Sequence, residues 1–364
     1  MTDIQIKIDG VGYLDFTDVS VSMGMEQFAR TFRATFSDKF VNSALLPLPF
    51  AEGSEVTITV DGEQVLDGYI DDVPISYDAK SHTISVTGRS WTGHLVDSSA
   101  IYKAGVWKDT DLLTIARNIC EPFGITAKFD DATVLPTDLA RTEKFRKFAI
   151  ESQESAYDCI ARAAKLRGVF LVSNQLRELV LTKAATSAAA TGAALVYGQN
   201  ILRGTRSGRF QERFSDYIVK SQNAGSDDFF GAATKGVFRV SDPQVTAYRP
   251  LVIVSDGQGR ANELEVRANW ERNVRAGRSR RVSYQVRGAH IFANDAGPLW
   301  SPNTRVVVND PLLDIADALL LVSVTLQFSG SGTVSSLELG RPEAFTPETP
   351  PNARVTVPGG WAGW

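Results

Sequence analysis

A mainly β protein with one α+β insert is predicted by two changes of hydrophobic period along the chain. Apolar and polar residues alternate with period two over residues 1–90 and again after Ile201. Between these regions, residues 100–183 contain runs with the 3.6-residue period of amphipathic helices. A period of two buries one face of a strand, and a period of 3.6 buries one face of a helix. Two β-rich units should therefore flank a smaller α+β unit.

Composition is that of an ordinary soluble globular protein. The chain has 364 residues, 43% of them hydrophobic and 22% charged, which is near the average for such proteins. No apolar run is long enough to span a bilayer. The start, MTDIQIKIDG, alternates like a strand and has no basic region of a signal peptide. We therefore expect no membrane insertion and a protein that stays in the cytoplasm of the cell that makes it.

The first β unit is predicted from short alternating segments separated by turns. Four such segments share an apolar residue at every second position: residues 4–8, 19–23, 32–36 and 56–60. Asp61 and Gly62 supply the positive φ angles of a tight hairpin, and a second turn is expected at residues 78–81. Several short strands with regular turns indicate a barrel or a sandwich.

A proline-containing loop at residues 40–53 interrupts this pattern. Four large apolar residues lie beside Pro47 and Pro49 in this loop: Leu45, Leu46, Leu48 and Phe50. Prolines exclude a central strand here. Either the loop folds over one end of the barrel, or its apolar residues contact a neighbouring subunit. Both interpretations remain open, and these four residues are candidate partner contacts.

Two helices with defined starts are predicted in the α+β unit. Residues 111–120 place their apolar residues on one face, with Thr110 or Asp109 as N-cap. Ser155 and Asp158 have the spacing of a capping box that opens a second helix. A pair of strands follows, and the alanine-rich residues 184–194 are typical of a linker.

Strand patterns return after the linker. Seven segments are candidate strands: residues 215–222, 237–240, 251–255, 280–287, 305–309, 319–328 and 333–339. One helix is expected at residues 261–276, with one solvated face. The predicted domains are residues 1–98, 99–194 and 195–345, followed by a tail at residues 346–364.

The residues needed for catalysis or metal binding are not arranged for either. The histidines His82, His94 and His290 have no helical spacing to one another or to a cysteine, so no zinc pattern exists. The acid pairs Asp71-Asp72, Asp130-Asp131 and Asp227-Asp228 lie near turns or in loops, where such pairs are usually solvated. We expect no enzyme activity, no cofactor and no metal.

Two further features have competing interpretations. Cys120 and Cys159 both fall in predicted helices, which favours buried thiols over a disulfide. The basic run at residues 272–281, RNVRAGRSRR, is the best candidate for binding nucleic acid. A helix end with cations that offset the macrodipole is the favoured interpretation of this run, and an ion-pair surface between subunits is the third. A net charge of −4 argues against a protein that coats DNA.

The order of several distinctive segments resembles one known family. Residues 65–125, from VLDGYIDDVPISY to NICEPFGI, are the most distinctive. The likeness continues through ESAYDCIARAAKLRGVFLVSN, FQERFSDYIVKSQ, TAYRPLVIVSD and PLWSPNTRVVVNDPLL, to about residue 345. Together these segments resemble the central baseplate hub proteins of Mu-like contractile phages. That family belongs to a wider group with late control protein D and the N-terminal part of type VI secretion spikes.

The resemblance implies a fold and an assembly. Each subunit would contribute two antiparallel β-barrels that resemble tail-tube subunits, and a homotrimer would form a pseudo-sixfold ring. That ring would join the sixfold tail tube to the threefold spike. The implied partners are tube-side proteins, the central spike and the baseplate wedge proteins, with DNA passing through without tight binding. The implied place is the baseplate of the virion tail, assembled in the host cytoplasm.

Two other functions stay open beside the phage hub. A type VI secretion or pyocin-like spike hub has the same architecture, and a tail-associated hydrolase that cuts cell wall would need a paired acid and nucleophile. Residues 346–364 match nothing in the family and are rich in proline and glycine, so this tail cannot bury a core alone. Trp361 and Trp364 suit docking into a pocket of the spike or of an adjacent hub subunit. The alternative is a tail that folds back onto its own domain.

Overall fold

The structure, a computed structural model, describes residues 2–13, 16–36, 50–77, 82–185, 192–221, 236–255, 261–292 and 297–345. Up to Ser90 the elements of the described chain are all strands: β1 (Ile4–Ile8), β2 (Val11–Tyr13), β3 (Phe16–Gly24), β4 (Thr31–Phe36), β5 (Glu55–Val60), β6 (Glu63–Asp72), β7 (Ile75–Tyr77) and β8 (His82–Ser90). Their apolar faces are buried as the period of two requires, and Val56, Ile58 and Val60 have no exposed surface.

A mixed unit follows. Its helices are α1 (Gly93–Asp97), α2 (Leu112–Cys120), α3 (Leu139–Thr142) and α4 (Ala156–Lys165). Its strands are β9 (Val106–Thr110), β10 (Thr126–Phe129), β11 (Phe145–Ala149), β12 (Phe170–Ser173) and β13 (Glu178–Thr182), with a 3-10 turn at Glu121–Phe123. Strands β10, β13 and β12 form one sheet, and β11 pairs with β9.

The remaining described chain is again rich in strands: β14 (Ala194–Val196), β15 (Ile201–Gly208), β16 (Asp216–Ser221), β17 (Val237–Ser241), β18 (Pro250–Ser255), β19 (Arg280–Arg287), β20 (Arg305–Asp310), β21 (Ile315–Ser329) and β22 (Gly332–Gly340). It also contains helix α5 (Ala261–Arg278) and 3-10 turns at Phe210–Glu212 and Pro342–Phe345. In the described parts of the chain, no helix is both long and apolar enough to cross a membrane.

The two β-rich regions are halves of one sheet. Fourteen strands follow the order β15-β19-β22-β21-β3-β4-β8-β6-β5-β1-β2, with β20 and β14 continuing beside β21 and β7 beside β8. The halves meet where β3 pairs antiparallel with β21, from Gly24 opposite Ser323 to Asp18 opposite Ser329. One hydrophobic core contains residues of both halves. The mainly β fold with an α+β insert is confirmed, whereas two separable tube-like barrels stay a prediction.

Local sequence accounts for the turns and caps. Asp61 and Gly62 have φ of 50° and 83°, so the predicted hairpin turn between β5 and β6 is confirmed. The Ser155 hydroxyl accepts a hydrogen bond from the Asp158 backbone N–H at 3.0 Å and so caps α4 as predicted. The Asp158 carboxylate, however, accepts from the Ser155 hydroxyl at 2.7 Å, which differs from the reciprocal bond of a capping box.

The predicted N-cap of α2 is wrong. Thr110 still belongs to β9 and Asp109 has a φ of 47°, so neither residue can start the helix. The cap is Asp111, whose carboxylate accepts from the Thr114 backbone N–H at 2.9 Å. A carboxylate at this position satisfies an N–H of the first turn and also offsets the helix dipole.

A small second α+β unit interrupts the C-terminal half of the sheet. Strands β17, β16 and β18 form their own sheet instead of joining the large one as expected. Helix α5 covers one face of this sheet, with Leu264 and Ala268 packed against Val219. The strand and helix positions agree with the sequence, but their pairing does not, because periodicity shows that a face is buried and not which element buries it.

Buried Arg30 connects the first α+β unit to the large sheet through hydrogen bonds. The Arg30 guanidinium donates to the Val65 carbonyl at 2.7 Å and to the Ser173 carbonyl at 3.2 Å. Burial lowers the pKa of Arg30 to about 10. The Arg30 backbone N–H donates to the Ser90 hydroxyl at 3.0 Å, and this hydroxyl lies 3.1 Å from that of Ser173. Three segments that are distant in sequence are thus held by one side chain and its neighbours.

A close approach of α5 to the Pro342–Phe345 turn makes a first prediction. A Cβ atom added at Gly277 would lie 1.7 Å from the Cβ of Ala344. Gly277→Ala should therefore lower the free energy of unfolding by about 1–3 kcal/mol, although alanine favours helix. Gly12→Ala is the matched control, because nothing lies within 4 Å of the added Cβ. Urea unfolding would measure both, and a Gly277→Ala protein as stable as the wild type would contradict the packing described.

The two cysteines make a second prediction. Cys120 and Cys159 are free thiols with no exposed surface, which confirms the expected buried thiols. Burial raises the pKa of both thiols to about 12. At pH 8 the native protein should therefore react with a thiol reagent such as dithionitrobenzoate far more slowly than the unfolded chain, which should release two equivalents. Rapid labelling of the native protein would contradict this account of the α+β core.

Candidate interaction site

Three of the described acids that the sequence singled out make internal contacts. Asp71 pairs with Arg89 at 2.7 Å, and Asp131 forms an ion pair with Arg141. The Asp130 carboxylate accepts from the hydroxyls of Thr133 and Thr182 at 2.9 and 2.8 Å. Within the described ranges no group of three or more potential ligands is placed to hold a metal ion. Asp227 and Asp228 lie outside the described residues.

A cluster of titratable groups lies where the first β unit meets α1. Arg89 bridges the carboxylates of Asp71 and Asp97, at 2.7 and 2.6 Å, and these partners hold its pKa above the usual value. Hydrogen bonding to Arg89 lowers the pKa of Asp97. The His94 ring stacks on Tyr69 with 4.1 Å between centroids.

Burial sets the protonation of both rings in this cluster. It lowers the pKa of His94 and raises the pKa of Tyr69 to about 12. Both side chains are therefore held in their neutral forms at neutral pH. A phenol with a raised pKa is a poor nucleophile. The two ion pairs of Arg89 link β8 to β6 and to α1.

The basic run at residues 272–281 spans the end of α5 and the start of β19, as the favoured interpretation predicted. Arg275 pairs with Glu271 at 3.2 Å. Arg278 and Arg281 both pair with Glu26, at 3.0 and 2.8 Å, and therefore link this run to the first β unit of the same chain. These contacts are internal to the chain, so the proposed ion pairs between subunits are not needed for Arg278 and Arg281.

The other arginines of this run open onto a cleft that the sequence did not reveal. Two adjoining cavities of about 270 and 280 Å³ share Arg213 and Arg280 in their walls. Six arginines line them, and we call this site the arginine cleft: Arg206, Arg209, Arg213, Arg272, Arg280 and Arg341. Asp242 is the one acidic residue among the described residues that line it. Among the described lining residues, arginines therefore outnumber acidic residues.

The floor of the arginine cleft is a buried ion pair. The Arg213 guanidinium donates to the Asp242 carboxylate at 2.5 Å and to the Gln244 side-chain carbonyl at 3.0 Å. Arg213 and Asp242 are only 7% and 5% exposed, so this pair is fixed and desolvated. Burial lowers the pKa of Arg280 to about 10, with repulsion from Arg213 and Arg341 adding to the effect.

No local pattern could have found the arginine cleft. Its six arginines come from β15, the segment after β15, α5, the start of β19 and the segment after β22. The sequence singled out only the run that contains Arg272 and Arg280. The other four are single arginines whose convergence depends on pairing between distant strands.

Of the candidate partner contacts, the structure places one. The Phe50 side chain is 5% exposed and packs against Tyr13 and Phe36, with ring centroids 5.5 and 6.0 Å apart. The Phe50 ring therefore faces the chain's own core, and its role as a partner contact stays a prediction. The other five candidates lie outside the described residues: Leu45, Leu46, Leu48, Trp361 and Trp364.

Three family models match successive parts of the chain. Residues 3–90 match the N-terminal domain of Mu phage baseplate assembly protein GpP-like sequences. Residues 92–183 match the second domain of baseplate hub protein gp44-like sequences, and residues 260–348 match the fourth domain of Mu phage baseplate assembly protein GpP. The boundaries near residues 91 and 183 coincide with the ends of the first β unit and of the first α+β unit.

Similar proteins agree with these matches. The chain is 32% identical to baseplate hub protein gp44 of Escherichia phage Mu, over 89% of this chain and 83% of that protein. The 43 kDa tail protein of prophage MuSo2 from Shewanella oneidensis superposes with a TM-score of 0.82 at 31% identity, covering 94% and 99% of the two chains. A tail protein from Neisseria meningitidis MC58 shares the fold, with a TM-score of 0.79 at 20% identity over 95% and 98%. This chain belongs to the family of Mu-like phage baseplate hub proteins.

Proposed function

We propose that the chain is the central hub of a contractile tail's baseplate, acting as a homotrimeric adaptor. Three copies would form a pseudo-sixfold ring that joins the sixfold tail tube to the threefold spike. Wedge proteins would bind around the ring, and the genome would pass through its channel without tight binding. The hub would be assembled in the host cytoplasm and become part of the virion baseplate.

The observation that carries this proposal is the single sheet with open edges. Each chain supplies two β halves joined by β3 and β21, so three chains would supply six. Among the described strands, the main path of the sheet ends at β15 and β2, and its branches end at β14 and β7. Strand β15 is eight residues long, and all but one of its residues are exposed. A long exposed edge strand is a template for pairing with another chain, and a closed ring would cover such edges.

Relatives support a structural role in a phage particle over the two alternatives. The protein at 32% identity is named a baseplate hub, and the structure at 31% identity is a prophage tail protein. This favours a phage hub over a type VI or pyocin-like one. A cell-wall hydrolase would need an acid poised beside a nucleophile, whereas the described acids at Asp71, Asp130 and Asp131 are engaged in internal contacts.

The proposed trimeric ring predicts the mass of the protein in solution and the effect of a substitution on the edge strand β15. Light scattering should give a mass of about 119 kDa for the protein alone, three times that of the 39.6 kDa chain, or a complex with three hub chains if the ring forms only with its spike. Leu202→Lys on β15 should lower the trimer fraction, because a lysine on an edge strand disfavours strand pairing. Leu202 is 57% exposed, so this substitution should not unfold the chain.

Leu135→Lys is the matched control for the edge variant. Leu135 is 59% exposed and lies in the first α+β unit, away from the sheet edge. This variant should have the wild-type mass. A stable dimer of the wild type would count against the ring. So would equal masses for the wild type and both lysine variants when the protein is diluted until the trimer begins to dissociate.

The tail at residues 346–364 makes a separate prediction. Because its composition cannot bury a core, deleting residues 358–364 should leave the hub folded and weaken its binding to the spike or to an adjacent hub subunit. The double variant Trp361→Ala/Trp364→Ala should reproduce this loss if the indole rings are the anchors. Pull-down of spike and tube proteins would measure it, with melting temperature as the folding control. Unchanged pull-down by both variants would exclude an anchoring tail.

A further inference from the structure

The large sheet has one face in the hydrophobic core and a second face outside it. In β3 and β21, Val21, Val324 and Leu326 belong to the core, whereas the residues on either side of them are partly or fully exposed. Successive side chains of a strand point to opposite faces, so these alternate residues share the second face. Nine residues with a hydroxyl or an amide side chain lie on it, and we call it the hydroxyl face: Ser20, Ser22, Thr31, Thr35, Thr87, Ser323, Thr325, Gln327 and Ser336.

Strand pairing sets these residues side by side. Two rows of directly paired residues each cross four strands: Ser336, Thr325, Ser22 and Thr31 in the first, and Gln327, Ser20, Arg33 and Thr87 in the second. The hydroxyls of Ser22 and Thr325 lie 2.9 Å apart where the two halves of the sheet meet. The hydroxyl face is therefore continuous from one half of the sheet to the other.

Charge on the hydroxyl face is balanced. Two acids and two arginines share it: Asp18, Glu338, Arg33 and Arg89. The five strands that form this face, β22, β21, β3, β4 and β8, contain no lysine. By contrast, residues 1–98 as a whole contain 15 acidic and 6 basic residues. Most acids of the first β unit therefore lie away from the hydroxyl face.

We propose that the hydroxyl face lines the channel of the trimeric ring and that duplex DNA slides along it. This assignment rests on the proposed function, because it requires the ring. Strand β15, an edge that ring closure would cover, continues the same face, with Thr205 opposite Ser283 and Arg203 opposite Gln285. Joining chains at that edge would therefore extend the hydroxyl face from one copy to the next.

The chemistry of this face suits DNA that moves without being held. Tight binding of DNA requires cations that neutralise its phosphates and release counterions. Hydroxyl and amide groups carry no charge, and they can hydrogen-bond water as well as phosphate. An acidic wall, which the composition of residues 1–98 would otherwise supply, would repel the phosphates. The charge-balanced face is therefore the one that we assign to the channel.

The test adds charge to the hydroxyl face and asks whether DNA must thread the ring to reach it. The variant Gln327→Lys/Ser336→Lys places two lysines per chain on this face, at residues that are exposed or partly exposed. A gel-shift assay of the assembled full-length protein at physiological salt would compare a linear plasmid with the nicked circular form of the same plasmid. We expect the variant to bind the linear form at least about tenfold more tightly than the wild type does, because the lysines add ionic contacts to phosphates. It should bind the nicked circle at least about tenfold more weakly than the linear form, since only a free end can enter a closed ring.

The matched control is Leu135→Lys/Leu139→Lys, which adds the same charge outside the large sheet. Leu135 and Leu139 are 59% and 64% exposed and lie in the first α+β unit. Lysines at these positions are open to both forms of the plasmid, so the control should bind the linear and circular forms with affinities within about twofold of each other. Melting temperatures of both variants near that of the wild type would exclude unfolding as the cause of any difference.

Light scattering of the same samples separates a failure of this assignment from a failure of the ring. If no assembly with three hub chains forms, the ring is wrong and the channel face with it. If that assembly forms and the Gln327→Lys/Ser336→Lys variant binds linear and circular DNA equally, the ring stands and the hydroxyl face lies outside its channel. Tight binding of linear DNA by the wild type would also overturn the assignment, because a sliding surface must not hold the DNA.

Discussion

The pairing of β3 with β21, which we call the seam, is the constraint on which the rest of the structure depends. It joins residues about three hundred positions apart, as in the 2.9 Å contact between the hydroxyls of Ser22 and Thr325. The Met25 backbone N–H extends this seam by donating to the Val322 carbonyl at 2.8 Å. Without it the large sheet would separate into two smaller ones, and the common core would lose its continuity. Because such distant strands must meet, the loop-closure entropy of folding is large.

Ion pairs and buried polar contacts fix the inserted units relative to this seam. Glu26 lies just beyond β3 and accepts from both Arg278 and Arg281, so it connects the seam to the end of α5 and the start of β19. Arg30, a few residues later, holds the first α+β unit through the Ser173 carbonyl. Glu26 and Arg278 are partly exposed, so solvent screens their ion pair, whereas Arg30 is buried and its hydrogen bonds are shielded from water. The short segment that follows β3 therefore orients both inserts.

Local features of the fold were predictable from the sequence, and long-range ones were not. The alternation from Val322 to Phe328 predicted a strand that is present as part of β21. Helix α5 was expected at residues 261–276 and spans Ala261–Arg278. Such features depend on periodicity and turn chemistry within a few residues. The N-cap of α2 was misplaced by one residue, because β9 continues through Thr110.

Strand pairing and the convergence of side chains in the arginine cleft could not be predicted, because no single segment of the sequence determines them. Strands β16, β17 and β18 were located correctly, yet their separate sheet under α5 was not, because each strand's pattern fits any sheet with one buried face. The arginine cleft was missed for the same reason. Arg206 and Arg341 are unremarkable in sequence and share a cleft only because β15, β19 and β22 are neighbours. The sequence left two interpretations of Phe50 open, and the packing of its ring on Tyr13 likewise depends on contacts between distant segments.

The central claim is that each chain forms one sheet, whose two halves are joined by the β3–β21 seam, and that three chains assemble into a threefold ring. Cryo-electron microscopy of the assembled hub tests it most directly. The account predicts three chains around an open channel, with six β halves surrounding it and the two halves of each chain adjacent through an intact seam. A twofold assembly, or a ring in which the two halves of one chain are not neighbours, would contradict it.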